Sequence, residues 1–522
     1  MSARPLPDGF EPYVWASTAE AVAARRGLDP AQVIRFDANV PPLPGVPQVP
    51  LGESFARLNE YPEGTYLELR EAAAGYAGVD PAQIVPGAGA DGLIALVART
   101  FLGPGRRAYV RQPTYPLYAI QSGVEGATLV SDPTDADVVW LCNPNNPTGE
   151  LVEPEEIAAL ARSLPRAAVV VDEAYFEYGG KTVVPLIAET RNLIALRTLS
   201  KAFGFAALRV GYAVASRDVA RELDRRREPA PVAVPAARIA AAALREPRLD
   251  VEAEVAERER MRAALTAAGF DCPPGAANFV LVRTDPAIAD ELESQGLVVR
   301  RFLDAIRITV RLPVENDRIL AALGAVAATP AERSGLVVRT TAETALRIVL
   351  VLDGRGRART QTGIGFLDHL LGQLAFHGGL DLEVLVGGDL DVDEHHTVED
   401  VLAALGDALA QALDGRAGVT RFGTATVPMD EARATATVDL VRRPHAEVAL
   451  GFGGDRVGGL ALTLLPHALE RFAMQAGITL HVDAAGTDDH HVAEAAFKAL
   501  GRALREACAV HGRAVASTKG SL

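Results

Sequence analysis

Through the first part of the chain, short apolar runs alternate with segments rich in Ala, Leu, Glu and Arg at helical spacing. The runs Arg107 to Val110, Val138 to Cys142, Ala168 to Asp172 and Leu193 to Arg197 read as strands. That rhythm predicts an α/β domain with a mainly parallel sheet. The stretch from Asp218 to Gly269 reads as helical with a break at "EPAPVAVP", while "ANFVLVR", "GLVVRRF" and "AIRITVRL" read as strands of a smaller α+β subdomain. "ENDRILAALGAVA" has the spacing of a terminal helix. Behind it "AATPAERSG", from Ala327 to Gly335, is small, polar and broken by proline, which divides the chain into residues 1–329 and 335–522.

Past that boundary the pattern changes. "LVVRTTAETALRIVLVLDGRG" has strand character with a turn at Asp353-Gly354. Further on, one arrangement is written twice: strands, an aspartate-histidine-histidine cluster and an amphipathic helix, as "DEHHTVEDVLAALGDALAQAL" and "DDHHVAEAAFKALGRALREAC". Such self-similarity predicts two related α/β halves.

Composition narrows the function classes. A chain of 522 residues is too long for one ordinary core, and 49 % hydrophobic with 23 % charged residues is a globular balance. The net charge of -15 argues against a broad nucleic-acid surface, though it leaves room for a local basic pocket that binds a phosphorylated metabolite. Cys142, Cys272 and Cys508 are scattered and odd in number, so no disulfide framework is expected and a reducing cytoplasm fits. No apolar run reaches a membrane span, and the start "MSARPLPDGFEP" lacks the basic and apolar regions of a signal peptide.

The basic residues are nearly all arginine, so Lys181, Lys201, Lys498 and Lys519 stand out. Lys201 follows a predicted strand in "TLSKAFGFAALRVGY", next to Ser200 and ahead of Arg209. Asp172 ends the apolar strand of "VVVDEAYFEY". Ligands of open α/β sheets bind at the carboxyl ends of strands, where this pair emerges. An aldehyde cofactor needs such a lysine for a Schiff base and a carboxylate to keep its ring nitrogen protonated.

Taken in order, "YPEGTYLELR", "PGAGADGLI", "QPTYPLY", "NPNNPTG", "DEAYFEY", "SKAFGFAALRVGY", "ANFVLVR" and "IRITV" resemble the fold-type I pyridoxal-phosphate aminotransferases, most closely the histidinol-phosphate aminotransferases. The resemblance implies that Lys201 is the Schiff-base lysine and proton shuttle and that Asp172 faces the pyridine nitrogen. Tyr175 and Asn146 would hydrogen-bond the phenolic oxygen and Tyr115 would stack on the ring. The cofactor phosphate would lie near Ala88, Gly89 and Ala90 at a helix N-terminus, which favours anions, with Ser200 and Arg209 adding contacts. Substrate phosphate would meet Arg300 and Arg307, with Tyr61 reaching across a dimer interface. Threonine-phosphate decarboxylases share much of this motif set. Val40 in "DANVPP" and the short stretch between Arg300 and Arg307 keep another phosphorylated amino acid open as substrate.

All ten histidines fall between His369 and His511. On a helix, His395 and His396 lie four and three residues before Glu399, on neighbouring parts of one surface, yet diverge from one another by about 100°. Adjacent histidines therefore suit two different metals better than one. His490, His491 and Glu494 repeat the arrangement, and His369 and His467 stand in "GFLDHLL" and "LLPHALERF". Six imidazoles and two carboxylates would give each of two metals four ligands. Nitrogen and oxygen donors without thiolate suit Mn, Fe, Ni or Zn. His377, His445, His481 and His511 read as ordinary surface or core residues.

The stretches "RTTAETALRIVLVLDG", "TGIGFLDHLLGQLAFHGGLDL", "RFGTATVPMDEA", "RRPH" and "STKGSL", with the two histidine clusters, resemble the imidazoleglycerol-phosphate dehydratases. That likeness implies a pair of Mn(II) ions on the eight residues and Glu343 as a proton-transfer residue. Arg421, Arg443, Lys498, Ser517 and Lys519 would surround the substrate phosphate. The whole would then be an α/β, fold-type I pyridoxal-phosphate aminotransferase domain followed by an α+β dehydratase domain of two duplicated halves. The implied small-molecule partners are phosphorylated imidazoles and glutamate, and the implied assembly is a homo-oligomer, dimeric through the first half and higher-order through the second.

Overall fold

The computed structural model describes residues 10–13, 16–28, 30, 33–42, 59–247, 249, 251–326, 333–413 and 416–511. It separates into two compact units, 1–329 and 330–522. No described helix is long and apolar enough to cross a membrane.

The first unit is built on a seven-stranded sheet of β1 (Ile84–Gly87), β2 (Arg107–Val110), β3 (Thr128–Val130), β4 (Val138–Cys142), β5 (Ala168–Asp172), β6 (Leu193–Thr198) and β7 (Gly211–Ala215), in the order β1-β7-β6-β5-β4-β2-β3. All neighbours run parallel except β7, which is antiparallel to both β6 and β1. The apolar runs are continuous because both faces are covered. Val169 and Val171 enter one core and Ala168 and Val170 the other. The helix α1 (Gly89–Phe101) follows β1 directly.

A second sheet holds β8 (Phe279–Arg283), β9 (Arg300–Arg301) and β10 (Ala305–Thr309), antiparallel in the order β9-β10-β8. "GLVVRRF" is not one strand, as its pattern suggested. Leu297–Val298 pairs in parallel with Ile34–Arg35, and Arg300–Arg301 turns to β10 instead. The helical stretch also breaks twice, giving Arg217–Asp224, Val234–Arg245 and Val251–Ala267. The second break falls at Pro247, since the residue before a proline is pushed out of helical geometry.

The second unit is a duplication. Its first half runs β11 (Ser334–Thr340), β12 (Thr344–Val351), β13 (Ala358–Gln361), α2 (Gly365–Gly378), β14 (Asp381–Gly388) and α3 (His395–Leu413). The second half runs β15 (Phe422–Met429), β16 (Ala432–Asp439), β17 (His445–Gly451), the hairpin β18 (Arg456–Val457) and β19 (Leu460–Ala461), α4 (Leu464–Ala476), β20 (Thr479–Ala485) and α5 (Asp489–Cys508). The two sheets, β11-β12-β14-β13 and β15-β16-β20-β17, share one strand order and one pattern of directions. Leu346, Leu370 and Leu402 of one half and Leu465, Phe472 and Phe497 of the other enter a single core.

Helices of one half pack on helices of the other, α2 with α5 and α3 with α4. Glycines let them approach. A Cβ at Gly406 would lie 2.4 Å from the Phe472 carbonyl oxygen, and one at the equivalent Gly501 would lie 2.6 Å from that of Leu374.

Candidate active sites

In the first unit the strand ends deliver the chemistry. Asp172 is the last residue of β5, Asn143 follows β4, and Leu199, Ser200 and Lys201 follow β6. Asp172 is buried, with one carboxylate oxygen accepting from the Tyr118 hydroxyl at 2.7 Å and the other from the Ala174 amide at 3.1 Å. Burial pushes its pKa up to about 6. The Lys201 amine lies 5.5 Å from the centre of the Tyr175 ring and forms no ion pair among the described residues. Burial, with Arg307 adding, lowers its pKa to about 8. A buried carboxylate and a half-buried, readily neutralised amine at adjacent strand ends are the donor set a pyridoxal ring and aldehyde require, so these residues fit that group.

The residues expected to hold the cofactor phosphate have their own geometry. Ala88 caps α1, and Gly89 takes φ +69°, where a Cβ would lie 2.9 Å from an Arg209 guanidinium nitrogen. Only glycine combines that conformation with so close a cation. Arg209 is exposed and pairs with Asp91 at 2.9 Å, and the same carboxylate accepts from Tyr115 at 3.1 Å. Ala90 is in the first turn of α1, and Ser200 accepts a bond from Thr198 at 2.9 Å. The Tyr175 hydroxyl accepts from Asn39 at 2.9 Å.

Arg300 and Arg307 face one another directly across β9 and β10. Like charges in opposed positions are unfavourable unless an anion joins them. The Asp37 carboxylate is committed to Arg35 at 2.7 and 2.9 Å, leaving Arg307 with the Asp37 backbone carbonyl, the Asn146 side chain and the faces of Phe279 and Phe302. Burial lowers its pKa to about 10, and Arg300 contributes. Tyr61 is 92 % exposed.

In the second unit six of the eight candidate metal-ligating residues gather in two groups. His369, His490 and Glu494 form one; His395, Glu399 and His467 form the other, with the donor atoms of each within 4.8 Å of one another. The His369 and His490 Nε2 atoms stand 3.7 and 3.5 Å from Glu494 Oε2. Those of His395 and His467 stand 3.5 and 3.4 Å from Glu399 Oε2. Metal–donor distances of about 2.1 Å put donors on one cation roughly 3 to 3.5 Å apart, so both groups fit a divalent metal. The second oxygen of each carboxylate is held by a cation, Lys498 at 2.7 Å from Glu494 and Arg471 at 3.0 Å from Glu399.

His396 and His491 do not join these groups within the chain. Each turns to the other side of its helix start, His396 Nδ1 to Asp389 at 3.0 Å and His491 Nδ1 to Glu431 at 2.9 Å. These carboxylates hold both histidines above the usual imidazole pKa, and His491 in turn pulls Glu431 down to about 2. Glu343 is exposed, 3.6 Å from His396 Nε2. Arg421 pairs with Asp439 at 2.7 Å, and Arg443 is exposed in the turn between β16 and β17. Ser517 and Lys519 lie outside the described residues. The residues that sequence reasoning missed are supporting ones: Tyr118, Asn39, Asp91, Asp389, Glu431 and Arg471. Five of these sit in stretches quoted above, Tyr118 in "QPTYPLY", Asn39 in "DANVPP", Asp91 in "PGAGADGLI", Glu431 in "RFGTATVPMDEA" and Arg471 in "LLPHALERF", but only the fold reveals their partners.

Known proteins match the two units separately. The family model described as Aminotransferase class I and II matches residues 31–323, and that described as Imidazoleglycerol-phosphate dehydratase matches residues 362–504. An imidazoleglycerol-phosphate dehydratase of Magnetococcus marinus is 50 % identical over 188 residues, 35 % of this chain and 95 % of that protein. A Stenotrophomonas maltophilia protein named histidine biosynthesis bifunctional protein HisB is 45 % identical over 192 residues, 37 % of this chain and 54 % of its own. A crystal structure of histidinol-phosphate aminotransferase from Sinorhizobium meliloti, in complex with pyridoxal-5'-phosphate, superimposes with a TM-score of 0.53 at 26 % identity, over 59 % of this chain and 94 % of that one. The chain belongs to the class I and II aminotransferases through its first unit and to the imidazoleglycerol-phosphate dehydratases through its second.

Proposed function

We propose that this chain is a bifunctional enzyme of histidine biosynthesis. Its second unit dehydrates imidazoleglycerol phosphate to imidazole-acetol phosphate, and its first transaminates that ketone with glutamate to give histidinol phosphate. The observation that carries the reading is the union, in one chain, of two families whose reactions are consecutive, with each unit retaining its donor set.

In the first unit, pyridoxal phosphate would supply an electrophilic carbon and a ring that accepts electrons from the carbon losing its proton. Lys201 is the nucleophile that holds it and the base that moves the proton; its lowered pKa keeps a neutral fraction available near pH 7. Asp172, oriented by Tyr118 and the Ala174 amide, holds the proton on the ring nitrogen. Asn146 and Tyr175 orient the phenolic oxygen. Ala88, Gly89, Ala90, Ser200 and Arg209 bind the cofactor phosphate, with Tyr115 alongside. Arg300 and Arg307 take the substrate's anionic group, for which their mutual opposition leaves a place.

In the second unit, His369, His490 and Glu494 would hold one Mn(II), and His395, Glu399 and His467 the other. Together the ions would supply Lewis-acid stabilisation of a deprotonated imidazole, which makes loss of the neighbouring hydroxyl possible. Glu343, exposed at a turn, moves a proton, and Arg421, Arg443, Lys498, Ser517 and Lys519 hold the phosphate. His396 and His491, turned away from their own chain's groups, would complete those of neighbouring copies, so the unit works as a homo-oligomer. Exposed Tyr61 fits a dimer contact of the first unit.

The test is to give the purified protein Mn(II), pyridoxal phosphate, glutamate and imidazoleglycerol phosphate and follow products by mass spectrometry. Histidinol phosphate supports both assignments. Accumulation of imidazole-acetol phosphate would leave the dehydratase and overturn the aminotransferase substrate.

A further inference from the structure

Among the described residues the second half of the second unit carries an element that the first half lacks. Between β17 and α4 the second half inserts the β18–β19 hairpin, whereas the first half passes from β13 straight to α2. The inserted hairpin contacts residues that stand beside both donor groups. At its entry the Gly453 and Gly454 amides donate to the two carboxylate oxygens of Asp489 at 2.8 and 2.7 Å, and Asp489 immediately precedes His490. At its tip Gly458 approaches so closely that a Cβ would lie 3.0 Å from the Phe366 Cβ. The Phe366 ring packs on His490 and His369, with centroids 4.9 and 6.2 Å away. On its return the Ala461 amide donates to Glu394 Oε1 at 3.0 Å, and Arg456 pairs with the same oxygen at 2.8 Å. Glu394 immediately precedes His395.

One small element thus holds the residue before His395 of one group and the residue before His490 of the other. His395 and His490 stand in the first turns of α3 and α5, where helix ends lack intrahelical partners for their amides and take their orientation from capping contacts. Asp393 and Asp488 cap the two starts locally, accepting from the His395 and His490 amides at 2.8 and 2.9 Å. Only the hairpin joins one start to the other among these contacts.

We propose that the hairpin of residues 453–461 is a brace that couples the two donor groups within one chain, with Arg456, Glu394 and Asp489 as positioning residues. This rests on the reading of the groups as cation sites. A cation drawn into one group fixes the first turn that carries it. Through the hairpin the other first turn is held in its binding orientation, so the second cation binds more tightly than it would alone.

The experiment is a titration of the metal-free full-length protein with Co(II), whose visible d–d absorption reports nitrogen and oxygen donors. His395→Ala and His490→Ala variants assign the absorption to each group. Wild type is expected to take up two ions with a linked isotherm. Arg456→Ala is expected to lose about tenfold affinity at the His395 group, the scale of contacts behind metal ligands, and to fill the two groups independently. Arg456→Lys should restore much of the linkage by keeping the charge. Failure of wild type to bind any cobalt would overturn the cation reading and the brace together. Two ions bound by Arg456→Ala with wild-type affinities and isotherm shape would overturn the brace alone.

Discussion

The helix contacts of the second unit yield a prediction that separates two effects usually confounded in glycine-to-alanine substitutions. Inside a helix, alanine is favoured over glycine by about 1 kcal/mol. At Gly501 and Gly406 the added Cβ would meet a carbonyl oxygen of the opposing helix at 2.6 and 2.4 Å, with the Gly378 amide at 2.9 Å and the Ala476 amide at 3.0 Å close behind. These are backbone atoms, which cannot swing aside. The helices must part by roughly 1 Å in an interior packed as densely as a crystal. Overpacking of this kind costs about 1 to 3 kcal/mol or more, so each substitution should destabilise the unit despite its helix preference. In a unit of this size that lowers Tm by roughly 3 to 10 °C. Gly372 in α2 is the control: a Cβ there meets nothing within 4 Å outside its own turn. Gly372→Ala should therefore stabilise by about 0.5 to 1 kcal/mol. Scanning calorimetry of the full-length chain measures all three. A Gly501→Ala protein with unchanged or raised Tm would refute the close approach of α5 and α2.

Capture of pyridoxal phosphate by the cofactor-free protein should speed up with rising pH through about 8, because the neutral Lys201 amine is the reactive form. Stopped-flow absorbance reads this, and an inflection near the ordinary lysine value would contradict it. The same shift means that the unfolded chain binds more protons between about 8 and 10.5, so this group by itself raises stability as pH climbs through that window. Glu173→Gln breaks a buried pair, 3.1 Å from Arg197, whose side chains are 0 % and 4 % exposed. It should cost about 3 to 5 kcal/mol in urea unfolding because a buried cation is left behind. In Co(II) titrations, His467→Ala and His395→Ala should be strongly non-additive since both strip one group, while His467→Ala and His490→Ala should depart from additivity only by the linkage between the groups. The opposite pattern would mean that the groups are drawn wrongly.

Three of the four strands read in the large sheet of the first unit have the expected bounds, the partly exposed Arg107–Val110 among them, and Leu193–Thr198 runs one residue further. Val138–Cys142 and Ala168–Asp172 have the bounds that their apolar runs indicate, because continuous hydrophobicity leaves little choice of end point. The turn that presents Glu343 was not legible. "TTAE" contains none of the usual turn residues, and the chain reverses there because the Thr341 hydroxyl accepts from the Glu343 and Thr344 amides at 3.1 and 2.9 Å. Lys201 and Asp172 could be named early since strand ends are where α/β sheets expose chemistry. Tyr118 could not, because its role depends on a bond to Asp172, far from it in sequence.

The histidines show a subtler limit. The repeat makes His395 equivalent to His490, Glu399 to Glu494 and His369 to His467, which suggests that each half holds its own metal. The fold exchanges them. His369 on α2 meets His490 and Glu494 on α5, while His467 on α4 meets His395 and Glu399 on α3. The exchange follows from packing, since α2 lies against α5 and α3 against α4, each pair drawn together at Gly501 or Gly406. A repeat therefore reports which residues are equivalent without reporting which are neighbours. In a duplicated unit whose halves bury their helices against one another, neither half holds a complete group, so the helix–helix glycines stand behind the donor geometry as surely as the histidines do.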